Sequence, residues 1–349
     1  MSADRRGATG RPIEIGGHTV GPGERASIDL PAADLYTHTE MTMPVQVING
    51  RRAGPVLFVA AAVHGDEING VEIIRRLLKL RTLRSLRGTL LAVPVVNVLG
   101  FLNMSRYLPD RRDLNRCFPG SGRGSAAARL ANLFATEIVD KADYGIDLHT
   151  GAIHRANLPQ IRADLEHDET RELATAFGVP VMINAAVREG SLRELAASRG
   201  VPLLLYEAGE ALRFDELAIR AGVRGVQRVM RRLGMLASRE PKRREAKPVI
   251  ALESGWIRSP QSGIVHATVR LGDYVKKGDV IANVRDPLGS SDTVIRASDD
   301  GVVIGLSKLP LAHEGDAIVH VAAFKQPTRV ARSVEEFHRG HREEEAESG

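Results

Sequence analysis

Pro55-Val56-Leu57-Phe58-Val59-Ala60-Ala61-Ala62-Val63-His64-Gly65-Asp66-Glu67-Ile68-Asn69-Gly70 is the stretch that decides how the chain is read. It opens as an unbroken apolar run, the pattern of a strand buried on both faces. From Glu67 onward the apolar residues Ile68, Val71, Ile74, Leu77 and Leu78 fall at helical spacing. Between strand and helix stands His64-Gly65-Asp66-Glu67, so an imidazole and a carboxylate lie three residues apart at the junction. Zn²⁺ takes nitrogen and oxygen ligands, and a catalytic zinc often has two His and one Glu with a position left open. Gly65 suits a turn that aims two side chains at one ion, because it carries no Cβ.

Working outward, the alternation continues. Residues 89–96, 144–148, 179–183 and 202–206 read as buried strands, with Pro94 marking a strand end or bulge. Residues 126–139, 169–177, 192–199 and 214–236 read as helices. This order predicts an α/β fold with a mainly parallel mixed sheet and helices on both faces, over one large domain at 45–236. Residues 1–44 form an N-terminal segment of short strands, polar and loose up to about residue 12. Residues 237–248 are charged and aperiodic, hence a linker. Residues 249–326 alternate short β-branched runs with Gly-Asp turns, predicting a small all-β domain. The end, 327–349, reads as a flexible tail or a frayed helix.

The composition narrows the function classes. Of the 349 residues, 43% are hydrophobic, enough to bury a core. The net charge of +5 comes from bases interleaved with acids, and aromatics are only 4%, which argues against nucleic acid as a partner. Cys117 is the single cysteine, so no internal disulfide forms. The N-terminus MSADRRGATGRP lacks the apolar core of a signal peptide, and no apolar run is long enough to span a bilayer. The expectation is a cytoplasmic protein without a membrane partner.

Ligands in open α/β sheets bind beyond the carboxyl ends of the strands. Three such strand ends carry chemistry: His64 with Glu67, Asp147-Leu148-His149-Thr150, and Glu207. If these strands are parallel neighbours, two His and two Glu converge. Two His and one carboxylate leave a bound Zn²⁺ positive, able to activate water and polarise a carbonyl. Glu67, close to His64, is the better ligand, and Glu207 the better base. Asp147 is placed to accept from the far nitrogen of a ligand His, without indicating which one. The loop Arg106-Tyr107-Leu108-Pro109-Asp110-Arg111-Arg112-Asp113-Leu114-Asn115-Arg116-Cys117-Phe118-Pro119-Gly120 is dense in arginine, the planar fork that grips carboxylates.

Together, in this order, His64-Gly65-Asp66-Glu67, Asp113-Leu114-Asn115-Arg116 with Phe118-Pro119-Gly120, Asp147-Leu148-His149 and Glu207 resemble the succinylglutamate desuccinylase/aspartoacylase family of the zinc-carboxypeptidase-like superfamily. The resemblance covers about residues 45–235. It implies one Zn²⁺ per chain on His64, Glu67 and His149, with Glu207 as base. It also implies that Asn115 and Arg116, with Arg112 beside them, hold a substrate carboxylate. A family arginine polarises the scissile carbonyl; Arg106 matches best by context, and Arg111 and Arg112 lie closer to the Asp-Leu-Asn-Arg run.

Residues 250–325 resemble a biotinyl/lipoyl-type β-hammerhead through Leu271-Gly272-Asp273-Tyr274-Val275-Lys276-Lys277-Gly278-Asp279 and Ala297-Ser298-Asp299-Asp300-Gly301. Asp286-Pro287-Leu288-Gly289 stands where an attachment lysine belongs, so no swinging-arm cofactor is expected. Covering the active-site mouth or assembling a homo-oligomer is the role such a domain suggests. The expected activity is zinc-dependent deacylation of a small N-acyl amino acid. The alternatives are a metallocarboxypeptidase and a non-catalytic binding protein on the same fold.

Overall fold

The computed structural model describes residues 9–238 and 248–348, with side chains through residue 340. Residues 1–8 and most of the expected linker lie outside the described residues.

Two hairpins come first, β1 (Ile13–Ile15) with β2 (His18–Val20) and β3 (Arg25–Asp34) with β4 (Glu40–Asn49). Then follow β5 (Arg52–Ala61), α1 (Asn69–Leu78), β6 (Arg87–Val93), the short α2 (Val98–Leu102), α3 (Ala126–Glu137), β7 (Tyr144–Gly151) and β8 (Arg155–Ala163). Next come α4 (Asp168–Phe177), β9 (Val181–Asn184), α5 (Leu192–Ser198), β10 (Leu203–Glu210) and α6 (Glu216–Arg232). The C-terminal strands are β11 (Val249–Ala251), β12 (Glu253–Arg258), β13 (Gly263–Ala267), β14 (Tyr274–Val275), β15 (Val280–Arg285), β16 (Asp292–Arg296), β17 (Gly301–Ser307), β18 (Leu311–Ala312) and β19 (Ala317–Ala323). The chain closes with α7 (Pro327–Ser348).

The fold is mixed α/β. Its large sheet runs β12-β19-β17-β8-β10-β7-β5-β6-β4-β3, with β9, β11 and β14 paired off this path. The centre, β10-β7-β5-β6, is parallel, and antiparallel strands flank it. Strand alternation in β5 explains the layers. Leu57, Val59 and Ala61 point into a core with Ile73, Ile74, Phe177, Tyr206 and Val229 from α1, α4, β10 and α6. Phe58 and Ala60 point the other way, against Phe134 of α3 and Leu192 of α5. Phe58 and Phe134 meet edge to face at 5.8 Å. Helices therefore cover both faces.

The C-terminal strands divide. β13, β15, β16 and β18 form a separate four-stranded antiparallel sheet, whereas β12, β17 and β19 extend the large sheet through the β17–β8 pairing. One register row crosses five strands: Trp256 opposite His320, His320 opposite Gly305, Gly305 opposite Asn157, and Asn157 opposite Gly209. At the end of the chain, the sequence pattern left a tail or a frayed helix. The structure has α7, whose Val330 and Val334, four residues apart, pack with Val302 and Ile304.

Candidate metal centre and cavity

The parallel centre of the sheet brings the three strand ends together. His149 on β7 is the register partner of Glu207 on β10, and β5 leads from Ala61 directly to His64. Ala62, between them, sits at φ +50°, a left-handed conformation that turns the chain out of the sheet. The helix starts later than its apolar spacing predicts. Glu67 lies in a turn closed by its own N–H donating to the His64 carbonyl at 3.1 Å, two residues before α1. Gly65 is required for a different reason than the turn: a Cβ there would stand 2.0 Å from the carbonyl carbon of Gly100, on α2. The glycine permits α2 to press on the loop that carries His64 and Glu67.

His64, Glu67 and His149 are all buried, and one donor atom from each lies within 4.8 Å of the others. His64 Nδ1 meets Glu67 Oε1 at 2.7 Å, and His149 Nδ1 meets Glu67 Oε2 at 2.7 Å. The Thr150 N–H also donates to Glu67 Oε2, at 3.1 Å. The far nitrogens are each matched to a carboxylate. His149 Nε2 is 2.7 Å from Asp147 Oδ2, and His64 Nε2 is 3.2 Å from Asp113 Oδ1. Asp147 thus serves His149, the choice that sequence left open.

Burial alone would raise the Glu67 carboxyl, but the two imidazoles hold it well below the usual carboxylate range. Burial likewise works to lower both imidazoles, and it is outweighed. His64 is raised by Glu67 and Asp113, and His149 well above its ordinary value by Asp147 and Glu67. A buried site that gathers two imidazoles and a carboxylate around one point, each imidazole backed by a further acid, is a cation site in its donor chemistry. Asp66, next to Glu67, has its carboxyl raised by burial and by Glu67, and its Oδ1 is buried without a partner.

The centre opens into a cavity of about 890 Å³ lined also by Arg106, Asn115, Arg116, Asn157, Arg162 and Glu207. Arg106 donates to Glu67 at 3.2 Å and to Asp113 at 3.0 Å, beside the His64–Glu67–His149 group. Asn115 Oδ1 accepts from the Leu192 N–H at 2.8 Å, which orients its amide. Arg116 is braced on the Asn115 carbonyl. Gly190, at φ +69°, lets the neighbouring loop approach the Arg116 backbone, where a Cβ would come within 2.5 Å of the Arg116 carbonyl oxygen. Arg112 stands apart: its side chain is 58% exposed, lies 3.5 Å from Asp110, and does not line the cavity.

Glu207 is gripped by residues that no sequence motif singled out. Asn157 Nδ2 donates to Oε1 at 2.8 Å, and Arg162 meets Oε2 at 2.5 Å, both from β8. The C-terminal strands supply Trp256, Arg258 and His320 to the same cavity. Trp256 stacks on His320 at 4.8 Å, with the Arg155 guanidinium 5.3 Å from the indole centre. Burial, then the nearby Arg162 cation, lowers the His320 imidazole to about 4.

These features define a buried His–Glu–His group, able to hold a metal ion, at the edge of a mixed α/β sheet, and comparison with known proteins gives its family. A family model of the succinylglutamate desuccinylase/aspartoacylase catalytic domain matches residues 53–233, and the chain belongs to that family of deacylating hydrolases. It is 27% identical over 304 residues to the N-alpha-acetyl-L-2,4-diaminobutyric acid deacetylase of Halomonas elongata, covering 80% of this chain and 85% of the relative. The product-bound ectoine utilization protein EutE (DoeB) of Ruegeria pomeroyi superposes with a TM-score of 0.77 at 26% identity, over 86% of this chain and 95% of that one. A succinylglutamate desuccinylase from Silicibacter sp. TM1040 shares the fold, with a TM-score of 0.77 at 24% identity over 86% and 95% of the two chains.

Proposed function

We propose that the protein is a zinc-dependent amidohydrolase that removes the acyl group from a small N-acyl amino acid. The observation that carries this reading is the buried His64–Glu67–His149 group opening, together with Glu207, into an arginine-lined cavity. Family membership and the deacetylase relative support the reaction class. Nitrogen, nitrogen and oxygen donors fit Zn²⁺, and when bound there the ion supplies a Lewis acid for the amide carbonyl and lowers the pKa of a water. Glu207 takes the proton of the attacking water and returns it to the departing amine nitrogen. Arg106 directs its guanidinium charge at the carbonyl oxygen as negative charge develops. Asn115 and Arg116 anchor the amino-acid carboxylate.

The test is amine release by the zinc-loaded full-length protein from a panel of N-acetyl, N-succinyl and N-formyl amino acids, run beside dipeptides and longer peptides. Turnover confined to the acyl amino acids is expected. Faster cleavage of C-terminal residues from peptides identifies a metallocarboxypeptidase instead. No hydrolysis at all, with no zinc retained on dialysis, identifies a binding protein.

A further inference from the structure

The amide that holds Glu207 is itself only half held. Asn157 Nδ2 donates to Glu207 Oε1 at 2.8 Å, whereas Asn157 Oδ1 is buried and has no hydrogen-bond partner among the described residues. The orientation is forced, because Oδ1 turned towards the carboxylate would set two acceptors against each other. His320 Nδ1 is likewise buried and unpartnered. A buried polar atom without a partner is costly, so each of these two calls for an explanation.

One row of the sheet brings the two together. Asn157 on β8 and His320 on β19 are both register partners of Gly305, on the β17 strand between them. A Cβ on Gly305 would stand 2.9 Å from Asn157 Oδ1, 2.9 Å from His320 Cβ and 3.3 Å from Trp256 Cη2. The amide oxygen and the imidazole thus lean over the same bare glycine. The imidazole is fixed there, with Trp256 stacked on it at an interplanar angle of 15° and Arg155 over the indole. Burial and the Arg162 cation keep it neutral near pH 7, so one ring nitrogen carries a hydrogen and the other does not.

We propose that His320 is a positioning residue for the base: with its hydrogen on Nδ1 it donates to Asn157 Oδ1 across Gly305, and Asn157 passes the constraint to Glu207. The chain of contacts runs from β19, over β17, through β8 to β10. Holding both ends of the Asn157 amide keeps the Glu207 carboxylate in one place while it takes the proton of the attacking water and returns it to the amine nitrogen. Positioning of this kind is expressed in kcat rather than in substrate binding. The inference rests on Glu207 being the base. It gives the C-terminal strands a share in catalysis that does not require them to touch the substrate.

The experiment uses the zinc-loaded full-length protein and the best substrate of the acyl amino acid panel. H320N and H320L match in shape, but only the asparagine offers an N–H near the Nδ1 position. H320L is expected to lose about tenfold in kcat, the usual worth of one hydrogen bond, with KM and zinc content unchanged. H320N should recover most of that loss. The double variant N157A/H320L should be no slower than N157A alone, because the chain of contacts is already broken at Asn157. H320F, which keeps a ring against Trp256, takes the place of H320L if the melting temperature shows that variant unfolded. Wild-type kcat in the folded variant, equal losses in H320N and H320L, or losses that multiply in the double variant overturn the proposal. E207Q is run beside them: turnover there at the wild-type rate removes the base assignment and this proposal with it, whereas an inactive E207Q confines any failure to His320.

Discussion

Asp147 Oδ2 lies 2.7 Å from Nε2 of His149, two residues further along β7, whereas the acid that backs His64, Asp113, is 3.2 Å away and shared with Arg106. The two outer carboxylates therefore hold their imidazoles with unequal strength. Replacing Asp147 by Asn should weaken zinc affinity by about 10- to 100-fold, the usual cost of losing such a partner. Asp113→Asn should cost less in affinity. Chelator competition against both purified variants measures the order, and equal affinities for wild type and D147N would remove Asp147 from the centre.

Glu207 touches Asn157 and Arg162 but none of the three proposed ligands by hydrogen bond. Glu207→Gln should therefore retain zinc at the wild-type stoichiometry and lose turnover by at least about 10²-fold. Metal analysis alongside steady-state kinetics checks both halves. Activity near the wild-type level would show that another group moves the proton.

Gly65→Ala places a methyl group against the Gly100 backbone, a contact that no rotamer relieves. The expected cost is about 1–3 kcal/mol of stability, together with weaker zinc binding because the displaced loop carries His64 and Glu67. Urea unfolding and zinc titration report the two effects. A variant with unchanged stability and zinc affinity would mean that α2 does not press on the His64–Glu67 loop.

His320 gives a signed dependence on pH. Its imidazole titrates near 6.5 in an unfolded chain and about 4 in the fold. Between those values the unfolded chain binds a proton that the folded chain does not, so stability falls as pH drops from 6.5 towards 4. The full contribution is on the order of 3 kcal/mol. His320→Gln should flatten that part of the stability curve relative to wild type. The fluorescence of Trp256, the single tryptophan, follows unfolding at each pH. Parallel curves for the two proteins would refute the assignment.

The parallel centre of the sheet was legible because β5, β7 and β10 are apolar on both faces, and uninterrupted runs such as Pro202 to Tyr206 have few other readings. The gathering of His64, Glu67, His149 and Glu207 was legible for the same reason, since polar residues directly after buried strands mark one edge. β8 was not. Asn157 and Arg162 line the cavity wall, and with the buried Gln160 they interrupt the apolar pattern, while Pro159 lies among them. Asn157 and Arg162 went unread with it. The loop of arginines posed another problem. Composition does not say which side chain turns inward: Arg106 does, while Arg112 stays in solvent. Trp256 and His320 reach the cavity only because β12 and β19 join the large sheet, a pairing with no local signal in either strand.

That joining bears on how the chain can be divided. The outer margin of β8 is shared, with Arg155 to Asn157 paired to β17 and Gln160 to Ala163 paired to β9. Cutting the chain before β11 would strip the β17 half bare and leave backbone donors and acceptors open beside the residues that grip Glu207. An uncovered strand margin of this kind recruits other chains. The family-matched portion is therefore not a portable module, because its sheet is completed by the C-terminal strands beside Asn157 and Arg162.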